Sequence, residues 1–417
     1  MDEPALRLSL LVRSLHGGGM ERMVVTLAGA FSERGHAVSL LVAVPGGAMR
    51  ARLPAHVRLV ALPRASPLVA RAWALAADPG GAGAMLPMLL GPAPRMARRL
   101  PGLVGHLRED RPDVLLAAGT QSNLAALWAA SFHGVETAIV VSERNTLSVV
   151  ARRRRHGFRR AYPKLVARAY PRADAIVAVS DGVADDLARV AGIPRERITR
   201  INNPVVSEAF RASATASPGH PWLEVGEPPV VLAAGRLHRQ KDFPTLLRAF
   251  ARLRASRAVR LVILGEGSER RRLERLARSL GVAGDVALPG FVENPAAWMA
   301  RAAVFVLSSA WEGLANVLVE AMACGCPVVS TRCPSGPEEV LEGGALGPLV
   351  PVGDAPALAA AIARVLEAPP DPARLRARAE DFSVDRAAER YLEVMIAARA
   401  RRTARSADAG SSGRAGG

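Results

Sequence analysis

Two stretches of this sequence place charged side chains directly after short apolar runs. Gly235-Arg236-Leu237-His238-Arg239-Gln240-Lys241-Asp242-Phe243 follows the run Val230–Ala234. Glu312-Gly313-Leu314-Ala315-Asn316-Val317-Leu318-Val319-Glu320 follows the run Val304–Leu307. Arg236 and Lys241 stand across a turn into a helical pattern, Pro244 to Arg254. Two cations beside a helix N-terminus suit a diphosphate, although most such charge pairs are simply solvated loops. Of the 55 basic residues only Lys164 and Lys241 are lysine, so arginine richness reflects a compositional bias and the surviving Lys241 stands out. A compact ammonium grips a departing phosphate differently from a planar guanidinium. Glu312 precedes a predicted helix and Glu320 lies about two turns along it, which at 1.5 Å per residue separates them by roughly 10 Å. That spacing is too wide for the nucleophile–acid pair of a glycosidase. It fits a grip on two ends of an extended ligand, since carboxylates accept from vicinal hydroxyls. Glu320 interrupts an apolar stretch, Val317 to Ala323, which speaks against a merely solvated acid.

Two further turns are less specific. Gly17-Gly18-Gly19 follows the first apolar run, where glycines let backbone amides approach an anion or a sugar; a flexible turn explains them equally. The triplet is not G-x-G-x-x-G, so it implies no dinucleotide. Pro334-Ser335-Gly336-Pro337-Glu338-Glu339 reads as a turn entering a helix.

The elements that must position these residues follow an alternating pattern. Leu6 to Val12, Ala37 to Val44, Asp113 to Ala118, Thr137 to Val141 and Ala175 to Val179 read as strands with helices between them, Glu21 to Arg34 among the latter. The pattern resumes with Val230 to Ala234, Val259 to Leu264, Val286 to Leu288, Val304 to Leu307 and Pro327 to Thr331. Alternation of this kind implies βαβ units and parallel sheets. The expected fold is α/β, with two Rossmann-like doubly wound domains facing across a cleft. The expected boundaries are 1–205, a Ser/Pro/Gly-rich linker over 206–228, a second domain over 229–383, a helix over 384–402 that crosses back to brace the first domain, and a disordered tail over 403–417.

Taken in order, G-R-x4-K, E-x7-E, the C-G-x-P-V-V-S strand and the G-P-E loop resemble family-4 glycosyltransferases of the GT-B fold, and the N-terminal G-G-G-x-E-R is similar too. The resemblance spans about residues 6–400 and is strongest over 230–340. It implies that Arg236 and Lys241 hold the donor diphosphate, that Glu312 contacts the donor hexose hydroxyls and that Glu320 contacts the ribose. It also implies that the backbone at Leu314, Ala315 and Asn316 lines the sugar, that Val292 with its neighbours lies by the base, and that Asn203 lies near the hinge. Gly17, Gly18, Gly19, Arg144 and Asn145 fall on the acceptor side. One departure stands out: many members carry Thr-x-His-Asp where this chain has Ser142-Glu143-Arg144-Asn145, which leaves the assisting residue of the first half open. The implied chemistry is retaining transfer of a hexose or N-acetylhexosamine, with an oxocarbenium-like transition state beside a departing diphosphate. The donor is a UDP- or GDP-sugar, UDP being favoured. No cofactor or metal is required if Arg236 and Lys241 supply the charge, and no D-x-D pair suits Mg²⁺.

Composition sets the outer limits. Half of the 417 residues are hydrophobic, which excludes a disordered chain. Cys324, Cys326 and Cys333 lie in one stretch with no second half of a zinc site, and no disulfide framework is possible. The net charge of +17 suits a polyanionic partner. From Arg144 to Ala173 there are ten basic residues and no acid, with Phe158, Tyr162 and Tyr170 among them and the run Arg152, Arg153, Arg154, Arg155 at its head. Such a stretch attracts an anionic membrane at about 1 kcal/mol per charge, stacks on RNA, or is an ordinary solvated helix pair. The apolar set Met85, Leu86, Met88, Leu89 and Leu90 is either a shallow membrane contact or core. No apolar run reaches membrane-spanning length and no secretory leader is visible, so a cytoplasmic protein at the inner membrane face is expected. The expected acceptor is a glycan or polyprenyl-linked glycan of the cell envelope, with no nucleic-acid partner. The rival readings are a nucleotide-sugar epimerase of the same fold and a non-catalytic nucleic-acid or membrane binder.

Overall fold

A computed structural model describes residues 5–152 and 158–412. The chain divides into two compact units, Met1–Pro204 with Val384–Gly417, and Val205–Ser383. Among the described residues the first unit holds β1 (Arg7–Ser14), β2 (Ala37–Val44), β3 (Arg58–Ala61), β4 (Val114–Ala118), β5 (Ala138–Glu143), β6 (Ala175–Ala178) and β7 (Ile198–Arg200). They form one sheet in the order β3-β2-β1-β4-β5-β6-β7, and every pairing is parallel. The second unit holds β8 (Val230–Ala234), β9 (Arg260–Leu264), β10 (Val286–Gly290), β11 (Val304–Leu307), β12 (Val328–Thr331) and β13 (Leu349–Val350). Their order is β10-β9-β8-β11-β12-β13, again parallel throughout.

The central strands are apolar on both faces because helices cover both faces. Leu10 lies opposite Leu40 on one side and Leu116 on the other, all buried. In the second unit Val231, Leu261, Val304 and Val329 share a core with Leu246, Phe250, Leu358 and Ile362 from the flanking helices. In each sheet the strand order reverses direction once, between β1 and β4 and between β8 and β11. Open parallel sheets bind ligands at the carboxyl ends of the strands beside that reversal.

Three edge strands, β3, β7 and β13, were not expected from the sequence. They are short and carry mixed residues such as Arg58, Thr199 and Arg200, because an edge strand has only one paired side and no continuous apolar run to advertise it.

The segment read as a linker over 206–228 folds onto the second unit instead. Ser207 caps the helix Glu208–Ser213 by accepting from Phe210 N–H at 3.1 Å. Asn294 donates to Ser213 O at 2.7 Å and Arg301 to Ala216 O at 2.7 Å. The His220 ring stacks 5.2 Å from Trp298, and Arg260 sits 4.8 Å over the Trp222 ring. The composition specifies irregular backbone; side-chain anchors from residues 294–301 decide that it is held.

The final helix, Val384–Ser412, belongs to the first unit. Tyr391, Met395 and Ala398 are fully buried in that core. Arg34 Nη2 meets Asp385 Oδ1 at 2.6 Å, and Arg402 Nη2 donates to Val135 O at 3.0 Å. The helix runs past Arg402, where a tail was expected, and Ala404 and Arg405 are good helix formers. Residues 413–417 of that tail, and Arg153, Arg154 and Arg155 of the basic run, lie outside the described residues.

Candidate active site

The second unit brings two of the singled-out charges together. Lys241 follows β8 and Glu312 follows β11, the two strands that flank the reversal. Lys241 Nζ lies 2.6 Å from Glu312 Oε1, with side-chain exposures of 15% and 9%. The Ser309 hydroxyl donates to the same carboxylate oxygen at 2.6 Å, and Gln240 Nε2 reaches Glu312 Oε2 at 3.4 Å and Trp311 O at 3.0 Å. Ser308 Oγ donates to Lys241 O at 2.7 Å, and Ala310 N–H to Gln240 O at 2.8 Å. These bonds stitch the loop after β8 to the loop after β11. The sequence reading assigned Lys241 and Glu312 to separate ends of a ligand; here they pair with each other.

Glycines make the close approach possible. Gly235 N–H donates to Leu264 O, and Leu237 N–H to Glu266 O, both at 2.9 Å. Gly265 has φ +127°, and a Cβ there would stand 2.1 Å from Gly235 O. Only a residue without a side chain fits. Arg236, in the same loop, is exposed.

The helix bearing Glu320 begins later than expected. It spans Asn316–Ala323, with Ala315 in the left-handed region at φ +70° as its cap. Glu320 therefore lies just over one turn into the helix rather than two. It is 4% exposed, the most buried acid of this unit's carboxyl edge. Leu314 and Ala315 are buried, Asn316 is half-buried, and Gly336 (φ +91°) approaches so closely that a Cβ would stand 2.5 Å from Leu314 O. Val292, half-buried, follows β10 at the same edge. Cys333 adjoins this site; burial, then the neighbouring Glu312 charge, pushes its thiol up to about 12.

In the first unit Gly17, Gly18 and Gly19 follow β1, Arg144 and Asn145 follow β5, and β4 alone separates those strands. At about 4.8 Å per strand the two loops sit roughly 10 Å apart along one edge. Gly17 (φ +97°) and Gly19 are exposed, and the helix Gly19–Glu33 starts here. Asn145 is exposed, Arg144 is buried, and Asn203 beyond β7 is 7% exposed.

The sequence reading missed the polar cluster behind Arg144. Glu143 accepts from Thr120 Oγ1 at 3.1 Å, from Tyr170 OH at 2.8 Å and from Arg144 N–H at 3.1 Å. Burial raises its carboxyl above the ordinary range, with these hydrogen bonds opposing. The helix Thr120–Ala129 begins beside it, and its positive end favours an acid there. Tyr391 OH, from the final helix, lies 3.1 Å from Ser142 Oγ and accepts from Arg144 Nη1 at 3.0 Å. An ionisable Glu143 inside an apolar strand was the signal available. Nothing local in the sequence linked it to Tyr391.

Among the described residues no group of three or more His, Cys, Asp or Glu is placed to hold a metal ion. A cleft of about 140 Å³ lies beside the loop after β8, lined by His238, Arg239, Asp242, Arg248, Glu269 and Arg272 among others. It does not include Lys241, Glu312 or Glu320.

Two doubly wound units, each with its charged loops at the carboxyl edge, define a GT-B glycosyltransferase fold. The model for "Glycosyltransferase Family 4" matches residues 17–209, and that for "Glycosyl transferases group 1" matches 228–368. A Campylobacter jejuni N-acetylgalactosamine-N,N'-diacetylbacillosaminyl-diphospho-undecaprenol 4-alpha-N-acetylgalactosaminyltransferase is 32% identical over 309 residues, 72% of this chain and 80% of that one. The lipopolysaccharide core biosynthesis glycosyltransferase LpsE of Rhizobium meliloti is 34% identical over 228 residues, 53% of this chain and 64% of that one. Among solved structures, the apo galactosyltransferase WaaB of the lipopolysaccharide outer core superposes with a TM-score of 0.68 at 20% identity, covering 93% of this chain and 99% of that one. Anabaena HepE in complex with UDP gives 0.69 at 19% identity, covering 94% and 99%. This chain belongs to the family-4 glycosyltransferases. It is a glycosyltransferase enzyme, and the Rhizobium meliloti relative is named for lipopolysaccharide core biosynthesis.

Proposed function

We propose that this enzyme transfers a hexose or N-acetylhexosamine, with retention, from a UDP-sugar to a polyprenyl-diphosphate-linked glycan. The observation that carries the reading is the Lys241–Glu312 pair at the reversal of the second sheet, with Glu320 buried at the same edge. On this reading Lys241 and the exposed Arg236 take the charge of a departing diphosphate, and no metal need supply it. Glu312 and Glu320 offer acceptors for donor hydroxyls, and Leu314, Ala315 and Asn316 offer backbone. By its name, the Campylobacter jejuni relative acts on a diphospho-undecaprenol glycan, and HepE is described with UDP; both favour these choices of acceptor and donor.

A membrane-attached acceptor needs the enzyme at an anionic surface, which we place at the inner face of the cell membrane. No helix among the described residues is long and apolar enough to cross a membrane. The helices Pro67–Ala77 and Ala82–Leu90 do expose Leu68, Val69, Leu86 and Leu90, while Met85 and Met88 are core. Arg71 joins the two helices through Met88 O and Gly91 O, and Arg64, Arg95, Arg98 and Arg99 lie in the flanking sequence; on this reading they supply the charge that an interfacial element needs.

A donor panel assayed by released nucleotide tests the proposal. UDP-sugars with a polyprenyl-diphosphate glycan should release UDP, and Lys241→Ala and Glu320→Gln should abolish release while the chain stays folded. Wild-type enzyme that releases no nucleotide from any UDP- or GDP-sugar, and whose melting temperature neither nucleotide raises, would end this reading.

A further inference from the structure

Arg144 is 6% exposed at the carboxyl end of β5. One side of its guanidinium is occupied: Nη1 donates to Ser142 Oγ at 3.1 Å and to Tyr391 OH at 3.0 Å. Nη2 is buried and has no hydrogen-bond partner among the described residues. A guanidinium stays charged at every physiological pH and carries five donors. Burying one of them unpaired costs more than a made hydrogen bond returns, so a native structure that retains such a group calls for an explanation.

The neighbouring carboxylate does not supply one. Glu143 spends its oxygens on Thr120 Oγ1, Tyr170 OH and the backbone N–H groups of Arg144 and Asn145. Arg144 thus rests on two neutral hydroxyls, and its charge has no ion-pair partner among the described residues. It sits beside the start of the helix Thr120–Ala129, which has no side-chain cap, and beside Asn145, which is exposed. Charge and donors therefore collect at the edge of the sheet where a ligand is expected.

We propose that Arg144 is a ligand for a phosphoryl group and that Tyr391 positions it. A planar fork with a free nitrogen matches phosphate oxygens in a way that a histidine or a lysine cannot. Tyr391 is fully buried on the final helix, and its hydroxyl touches both Ser142 and the Arg144 guanidinium. The final helix so reaches, through one hydroxyl, into the acceptor-side loop. The phosphoryl group has two sources, the donor diphosphate or a phosphate of the acceptor. This inference rests on the transferase reading for its ligand, but its test does not need turnover.

The full chain is titrated calorimetrically with UDP against uridine, and with farnesyl diphosphate against farnesol in detergent micelles. Wild type should prefer the diphosphate member of at least one pair. Arg144→Gln should lose roughly tenfold or more of that preference, as expected for charge-assisted hydrogen bonds. Arg144→Lys should lose a similar part, because it keeps the charge without the fork, and Tyr391→Phe about threefold to tenfold, with a lowered melting temperature but a single cooperative transition. A loss confined to UDP assigns the donor; one confined to farnesyl diphosphate assigns the acceptor. If Arg144→Gln does not fold, Arg144→Lys and Tyr391→Phe decide by the same ratios, which a purely structural role would not move. Unchanged ratios in the folded variants, or a wild type without preference in either pair, overturn the proposal. Wild type that shows the preference but turns over no nucleotide sugar would sink the transferase reading alone.

Discussion

Breaking the Lys241–Glu312 pair should cost stability and split the two halves of donor binding. Lys241→Met takes the ammonium from a carboxylate that is 8% exposed, while Ser309 Oγ and Gln240 Nε2 still donate to it. Removing one partner of a buried pair costs about 3–5 kcal/mol. Lys241 is 15% exposed and Glu312 keeps a hydroxyl donor at 2.6 Å, so the expected cost is lower, about 2–3 kcal/mol. For a unit of this size that lowers the melting temperature by roughly 4–12 °C. Glu312→Gln keeps the shape and one acceptor oxygen, gives up the weak acceptance from Gln240 Nε2 and leaves a partly solvated ammonium, at about 1–2 kcal/mol. The double variant should show a coupling of about 1–3 kcal/mol. Urea unfolding followed by the fluorescence of Trp298 and Trp311, both in this unit, reads these values. The functional consequence is sharper. On the proposed reading, a lysine already bound to Glu312 must be shared when a diphosphate arrives. Glu312→Gln should therefore tighten UDP by about threefold to tenfold, equivalent to roughly 1 kcal/mol of released competition, while it slows sugar transfer. Lys241→Met should weaken both. A coupling below about 0.5 kcal/mol, together with UDP affinity that falls as far in Glu312→Gln as in Lys241→Met, would refute the reasoning.

Three further outcomes follow from the same structure. Gly265→Ala should cost about 3 kcal/mol or more and distort the loop after β8, since strain at φ +127° adds to a contact of 2.1 Å with Gly235 O; Gly281→Ala, at φ +72° with open space around it, should cost only about 1–2 kcal/mol in the same unfolding assay. Cys333, its thiol pushed up to about 12, should resist iodoacetamide at pH 8 in the folded enzyme and react once it is unfolded; rapid labelling of the native chain would contradict its burial beside Glu312. His106 donates or accepts at Ser9 Oγ (3.0 Å) and meets Asp110 Oδ2 at 2.6 Å, yet burial outweighs Asp110 and lowers its pKa below the ordinary 6.5. The unfolded chain then binds the proton first, so stability is full above pH 6.5 and falls as the pH drops below it; melting temperatures across pH 5–8 should show this slope, and His106→Gln should flatten it.

Much of the fold was legible because buried parallel strands are apolar on both faces. The runs Ala37–Val44, Val230–Ala234 and Val304–Leu307 need nothing beyond themselves to be read. The edges β3, β7 and β13 carry no such run. Residues 206–228 look like a linker because their composition reports backbone irregularity, whereas the anchors that hold them, Asn294, Arg301 and Trp298, lie some eighty residues on. The site divides in the same way. Lys241 announces itself by lysine scarcity and Glu320 by its apolar neighbours, both local signals. The late helix start at Asn316 was hidden because the left-handed Ala315 that sets it is held by packing and not by an intrinsic preference of alanine.

What the sequence by itself determined is the alternation of strands and helices, the parallel sheets that alternation requires, and which turns carry charge, because each depends on residues within one or two turns of chain. Only the tertiary structure decided that Lys241 answers Glu312 across 71 residues and that Tyr391 answers Ser142 across 249. Those contacts depend on the order in which strands line up in a sheet, and that order is set by the simultaneous burial of every helix against both faces, a condition no local window of sequence contains.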